Sequence, residues 1–425
     1  MSELEARRET AAAAPVVPAP VHPAIQAWRA ADGELLIGGQ PASALARRAG
    51  RTPLFAYDRE KIAHRVALLR EVLPPAVQLH YAIKANPMPA VIAELTGLVD
   101  GVDVASGLEL QAALDAGVDP AHVGFAGPGK TDGELAQAIA AGVVIELESE
   151  GEMRRTAAIA ERLGARPSVA VRVNPNFRLK GAGMHMAGGP SQFGVDAEAV
   201  PALLAELAGL PLSFVGFHIF AGSQNLNADS LIQAEAAIVE LAIRLAQDAP
   251  APVRHLNIGG GFGVPYFPKD AALDVAAVGR ALHPLAARVA RELPQARLVI
   301  ELGRYLVAEA GVYLSRVIDR KVSRGQTYLV TDGGLHHHLA ATGNFGQGIR
   351  RNFPVAVASR FDAPAVETVS VVGCLCTPID LLADKVQLPR AAPGDLIAIF
   401  QSGAYGFSAS PRDFLSHPQP AQLLV

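Results

Sequence analysis

Four stretches carry side chains that an apolar interior does not call for. Tyr81-Ala82-Ile83-Lys84-Ala85-Asn86 sets a lysine among apolar neighbours, Gly222-Ser223-Gln224 and Gly259-Gly260-Gly261 are small-residue turns after apolar runs, and Glu301-Leu302-Gly303-Arg304 places a carboxylate close before a guanidinium. A lysine is rarely buried without a partner or a task, and desolvation lowers its pKa until the neutral amine can attack a carbonyl. The alternative is a surface lysine whose stem lies along apolar side chains. Consecutive glycines let backbone N–H groups approach a phosphate, and Ser223 and Arg304 would complete an anion site, although such turns also follow strands that bind nothing. Glu301 alone could be no more than an ion partner of Arg304. Together, an amine, a phosphate cradle and a carboxylate point to pyridoxal 5′-phosphate. Lys84 would hold its aldehyde as a Schiff base, and Glu301 would keep the ring nitrogen protonated as an electron sink.

Two other signals read more plainly. The run His336-His337-His338 looks like a metal tag, but adjacent side chains on a strand point in different directions, so one ion cannot easily use all three and no metal is expected. Cys374 and Cys376 are the only cysteines. Spaced i and i+2, they would share one face of a strand as inert core residues, and a chain of this size without a disulfide framework fits a reducing cytoplasm.

These groups need a scaffold that gathers strand ends. From residue 77 to residue 304 short apolar runs alternate with turns and Ala/Leu/Glu-rich stretches of helical period. The strand candidates are 77–84, 101–106, 123–127, 143–149, 169–175, 214–220, 255–261 and 298–304, with helices over 107–116, 132–141, 149–164, 197–209, 228–247 and 273–293. Eight buried parallel strands with crossover helices predict a (β/α)8 TIM barrel, whose active site lies at the carboxyl ends of the strands. An open doubly wound sheet is the alternative. Beyond residue 304 the helical period stops, and strand-like runs at 311–323, 326–334, 367–376 and 395–406 predict a C-terminal all-β domain. The expected division is a disordered Ala/Pro-rich tail over 1–24, a segment at 25–52 whose run near Glu34 is a candidate to pair with the β domain, the cofactor-binding barrel over 53–304, and the β domain over 305–425.

Composition narrows the class. The chain has 425 residues, half of them hydrophobic and 18% charged, with 37 basic against 41 acidic residues. This suits a large core, and the absence of long basic runs argues against a nucleic-acid or membrane-surface partner. No secretion-type apolar segment opens the sequence and no uncharged run suggests a membrane helix.

The stretches YAIKAN, DVASGLE, RVNP, SQFG, GSQ, GGGFG, ELGR, GCLCTPID and SGAYG, in this order, resemble the fold-type III, alanine-racemase-like PLP decarboxylases, the group of ornithine and diaminopimelate decarboxylases. NPNFRLKGAGMHM and GGLHHHLAATGNFGQ are similar to the branch described as exosortase-system-associated decarboxylases. The resemblance implies a decarboxylase of a small amino acid that works as a homodimer with shared sites. It implies Lys84 as the Schiff-base lysine and Glu301 at the pyridine nitrogen. Ser223, Gly260, Gly261, Arg304 and Tyr405 would sit around the phosphate, with Asp103, Glu109 and Arg172 in support. Cys376 would be the proton donor and, with Asp380, would reach the partner's site. A racemase of the same fold is the nearest rival, but those resemble a pattern with Arg at the ring nitrogen. A non-catalytic cofactor-binding homologue is the other.

Three departures bear on substrate. Phe220 stands where the family has a ring-stacking His, with His218 two residues earlier. Thr377 replaces the acidic residue that follows the cysteine and meets a distal amine. Asp332-Gly333-Gly334 leads into Leu335 and the histidines rather than into an Arg-Pro segment. Ornithine and lysine are therefore expected to be poor substrates beside one with a distal carboxylate or polar group, which Arg350 or Arg351 would meet unless they are solvated surface residues.

Overall fold

The computed structural model describes residues 22–425 apart from 182 and 186. The expected tail lies outside the described residues as far as residue 21; Pro23–Gln26 is a helical turn in which the Ala24 N–H donates to the His22 ring.

Eight parallel strands close on themselves: Val77–Ala82, Gly101–Val104, Val123–Phe125, Val144–Leu147, Ser168–Asn174, Ser213–His218, His255–Gly260 and Arg297–Leu302, the last pairing with the first from Leu298↔Val77 to Leu302↔Tyr81. All eight predicted strands are present. Side chains on both strand faces are buried because helices cover the outside and packed side chains fill the inside. The helices begin where the sequence supplies caps. Ser106 starts Gly107–Asp115, Thr131 and Glu134 form a reciprocal capping box on Asp132–Ala141, and Ser149 starts Glu150–Leu163. Arg59–Val72, ahead of the first strand, packs on Val275–Glu292 and closes the helical ring.

The second layer is a sheet of the C-terminal strands. Gly311–Ser323 runs the length of it, pairing along its course with Leu396–Ile399 and with Gln326–Thr331, while Glu367–Val372, Leu381–Leu388 and Val355–Val357 extend the two sides. Two expectations change here. Leu54–Tyr57, assigned to the barrel from its position in the chain, instead pairs antiparallel with Gly311–Leu314 and parallel with Ala421–Leu424. Glu34–Ile37 does not hydrogen-bond to the β domain; it forms a small sheet with Arg29–Ala31 and Gln40–Pro41. Its Leu35 and Ile37 join a second buried cluster with Val312, Leu314, Ala398 and Phe400, and beside it the Gly33 carbonyl accepts the Phe361 N–H at 2.6 Å, so the segment meets the β domain through side chains and one backbone hydrogen bond outside the strand. Among the described residues no helix is long and apolar enough to cross a membrane.

Candidate active site

The carboxyl ends of the barrel strands converge on a polar cluster. Lys84 follows the first strand and stands 3.2 Å from Glu301 Oε1 on the eighth. Its side chain is 44% exposed, whereas that of Glu301 is 4% exposed, so an anion below presents itself to an amine at the mouth. The expected lowering of the Lys84 pKa does not occur. The Glu301 charge outweighs burial and holds the amine above its ordinary value.

Glu301 is held from a second side. His218 Nε2 lies 3.3 Å from Glu301 Oε2, and its Nδ1 lies 2.5 Å from Glu146 Oε2 on the fourth strand. Burial alone would lower the His218 pKa, but the Glu146 charge and hydrogen bonding to both carboxylates push it up to about 9. An imidazolium thus bridges two buried carboxylates. Burial also opposes ionisation of Glu301, yet Lys84 and His218 hold its carboxyl well below the usual range. Asp103, the third carboxylate, has His80 Nδ1 at 3.4 Å. Burial, reinforced by the Glu301 and Glu146 charges, drives its pKa well above the ordinary value. Gly124 makes room here: a Cβ on it would lie 2.5 Å from Asp103 Oδ1 and 3.0 Å from Glu146 Oε1.

Arg172 donates to Glu148 Oε1 at 2.6 Å and lies over Phe193. Glu148 also accepts the N–H of Gly127 and Gly194, which ties the third, fourth and fifth strand ends together. Glu109 accepts the Ala105 N–H. Phe220 presents its ring 5.7 Å from Lys84 Nζ.

Beside this cluster lies an anion-ready corner. Ser223 is on the Gly222–Ser223 strand paired with Met184–His185, and Gly261 takes φ +80°, with a would-be Cβ 2.3 Å from the Gly222 carbonyl oxygen. Arg304 donates to the Tyr266 hydroxyl at 2.9 Å and stacks 4.7 Å from the Tyr405 ring, but its Nε is buried without a partner and it forms no ion pair among the described residues. A half-buried guanidinium without an ion partner, beside consecutive glycines, fits a phosphate. Tyr405 comes from the β domain of the same chain, anchored by its N–H to the Ala85 carbonyl at 2.8 Å, and Asn86 returns a bond to the Gly403 carbonyl.

The β-domain candidates are not gathered in the same way. Cys374 and Cys376 lie beyond the strand end at Val372, so they share no strand face; Cys374 is half-buried and Cys376 exposed. Among the described residues, no hydrogen bond joins Cys376 or Thr377 to the barrel. Asp380 is buried, and its two carboxylate oxygens accept the N–H groups of Leu335 and Leu375 at 2.6 and 2.8 Å, so it braces its loop instead of offering a free charge. Arg350 is likewise engaged, by the Thr342 and Leu381 carbonyls and Asn352. Arg351 lies 3.5 Å over the Phe267 ring at the edge of a cleft. The histidine run lies in a turn, not on a strand.

Glu146 and Glu148 were not singled out from the sequence, and His218 was noted only as a displaced histidine. A usable signal existed: Val144-Ile145-Glu146-Leu147-Glu148 puts carboxylates into an apolar strand, as Lys84 does on the first.

Comparisons agree with this geometry. Residues 59–308 match the family model described as pyridoxal-dependent decarboxylase, pyridoxal binding domain. The chain is 38% identical over 382 residues to an L-glutamyl-[BtrI acyl-carrier protein] decarboxylase of Niallia circulans, covering 88% of each. It is 33% identical to a 2-[(L-alanin-3-ylcarbamoyl)methyl]-2-hydroxybutanedioate decarboxylase of Staphylococcus aureus, covering 86% of this chain and 92% of the relative. The crystal structure of a diaminopimelate decarboxylase from M. jannaschii superposes with a TM-score of 0.84 at 25% identity, covering 94% of this chain and 93% of that one. A barrel mouth with an amine, a held carboxylate and a phosphate corner, and these matches along most of the chain, lead to one conclusion: the protein belongs to the PLP-dependent amino-acid decarboxylases with a (β/α)8 barrel and a C-terminal β domain.

Proposed function

We propose that this decarboxylase acts on an α-amino acid whose distal end is extended by a neutral or anionic group, and that it does so as a homodimer. The observation that carries the substrate reading is the lack of a free carboxylate on the 373–380 loop: Thr377 is uncharged and Asp380 is consumed by backbone N–H groups. A distal ammonium would find no partner there. Next to the phosphate corner an open cleft of about 620 Å³ is lined by Tyr266, Phe267, Arg304, Phe345, Ile349 and Arg351. Its carboxylate, Asp270, accepts the Tyr266 and Phe267 N–H groups and lies 3.8 Å from Arg351, so the partly aromatic lining offers no free anion to a distal ammonium. The names of the two relatives support this, since each describes an amino acid built into a larger molecule.

In this reading Lys84 would hold the cofactor aldehyde and Glu301, kept ionised by Lys84 and His218, would keep the ring nitrogen protonated. Phe220, with its ring 5.7 Å from Lys84 Nζ, would pack against the cofactor. Ser223, Gly260, Gly261, Arg304 and Tyr405 would take the phosphate, Arg172 with Glu148 holds the surrounding strand ends, and Asp103 lies beside His80. The bound cofactor supplies the electron sink for loss of carbon dioxide. Cys376, exposed in one chain, delivers the proton to the substrate carbon of the partner's site, and Thr377 lines the distal pocket. Carbon-dioxide release from meso-diaminopimelate, lysine, ornithine, glutamate and a glutamyl pantetheine thioester tests the proposal. The thioester or another extended substrate should give the highest kcat/KM; ornithine or lysine as the best substrate would refute it.

A further inference from the structure

Three residues far apart in sequence meet on the β domain. His336 lies in the turn after Gln326–Thr331, Cys374 just beyond Glu367–Val372, and His417 in the segment before the last strand. One ligand atom from each, two imidazole nitrogens and the thiol sulfur, lies within 4.8 Å of the other two, and Cys374 Sγ is 3.8 Å from His417 Nε2. A tetrahedral zinc with bonds of roughly 2.1 Å to nitrogen and 2.3 Å to sulfur needs ligand atoms about 3.4–3.7 Å apart. A modest inward turn of the side chains closes the difference.

The three adjacent histidines are not equivalent. His337 is fixed between the Tyr313 hydroxyl and the Pro418 carbonyl, and His338 between Ser402 Oγ and the Ala341 N–H. His336 is fully buried, and both its ring nitrogens lack any hydrogen-bond partner. An imidazole with no partner in the interior costs free energy that a bound ion would offset. The cluster is also preorganised. Asp380 holds the N–H of Leu335, directly before His336, with one carboxylate oxygen, and the N–H of Leu375, directly after Cys374, with the other. A buried carboxylate one residue from each of two ligands sets their spacing, as outer-sphere groups do in built metal sites.

We propose that His336, Cys374 and His417 form a binding site for a zinc-class divalent cation, two imidazoles and a thiolate with a fourth position for water. That donor set selects zinc or cobalt over the oxygen-seeking magnesium and calcium. The ion takes no part in decarboxylation; it fastens the turn after residue 331, the C-terminal segment and the loop that carries Cys376 and Thr377. The site therefore stands independently of the substrate reading above.

The test uses the purified holoenzyme stripped with a chelator and titrated with zinc sulfate against a chromophoric competitor, and in parallel with cobalt(II) chloride. Wild type should bind about one ion per chain. With cobalt it should show the d–d bands of a tetrahedral site to the red of the cofactor and a thiolate charge-transfer band. Cys374→Ser and His417→Gln should weaken zinc binding by roughly 100-fold or more, with Cys374→Ser abolishing the charge-transfer band and Cys376→Ser retaining it. Unchanged cofactor content and circular dichroism identify the variants that have folded. Wild type without stoichiometric uptake, a cobalt spectrum lacking the thiolate band, or equal affinity in folded Cys374→Ser and His417→Gln would each overturn the site.

Discussion

The His218 bridge gives a prediction whose size follows from the structure. His218 sits between Glu146 and Glu301 with its pKa pushed from the ordinary 6.5 up to about 9. A histidine whose folded pKa is raised contributes stability that is complete below pH 6.5 and is lost as pH rises through 9. At ~1.4 kcal/mol per pH unit, the interval is worth about 3 kcal/mol. Removing the histidine alone would leave Glu146 as an unpaired buried anion that itself titrates, so the better perturbation is His218→Asn with Glu146→Gln, a neutral hydrogen-bonding pair of similar shape. Chemical unfolding of both holoenzymes at pH 6.5 and 9.5 should show the wild-type advantage shrinking by about 3 kcal/mol across that range. The double variant should also lose kcat/KM by roughly 10-fold or more, because Glu301 loses the positive charge 3.3 Å away that helps to keep it ionised. A stability difference that stays constant between the two pH values would show that His218 is not charged in the folded protein, and the argument about Glu301 would fall with it.

Other outcomes follow from single groups. Lys84→Ala should abolish the visible absorbance of lysine-bound cofactor, and mixing this inactive chain with Cys376→Ala should restore about a quarter of wild-type activity, since half the dimers are hybrids with one intact site; no recovery despite proven subunit exchange would place both residues in one chain's site. Cys376→Ala should still release carbon dioxide, ~10²- to 10⁴-fold more slowly, and give aldehyde and pyridoxamine phosphate beside the amine. Clean amine at the wild-type rate would remove this cysteine from the reaction. Glu235, buried with neither oxygen hydrogen-bonded, has its pKa raised by burial to about 8. An acid raised in this way costs stability progressively as pH climbs from about 4.5 to 8, by up to ~5 kcal/mol. Glu235→Gln should therefore unfold at a higher temperature than wild type at pH 8.5 and at nearly the same temperature at pH 4.5, and equal melting at both would exclude a buried, proton-bearing Glu235.

Much of the protein is written in local patterns. The eight barrel strands, the helices between them and the caps that start them depend on the period of apolar residues and on side chains a few positions away, so they are legible without tertiary information. The order of the strands places Lys84, Ser223, Gly260 and Glu301 at one end of the barrel, because parallel βα units leave every strand's carboxyl end on the same side. The sequence could not decide pairings between distant segments. Leu54–Tyr57 is apolar on both faces and would suit either sheet; only the approach of Gly311–Leu314 and Ala421–Leu424 assigns it. The charge states follow the same rule. Lys84 read as a desolvated, weakened base, yet Glu301, 217 residues away in the chain, reverses the direction. His218 became a cation because Glu146 and Glu301 close around it, and Asp380 became a brace because two backbone N–H groups reached it first. Composition and spacing fix which groups are available, whereas a pKa or a ligand set depends on fields and distances of a few ångströms that exist only once the chain has closed the barrel and laid the β domain against it.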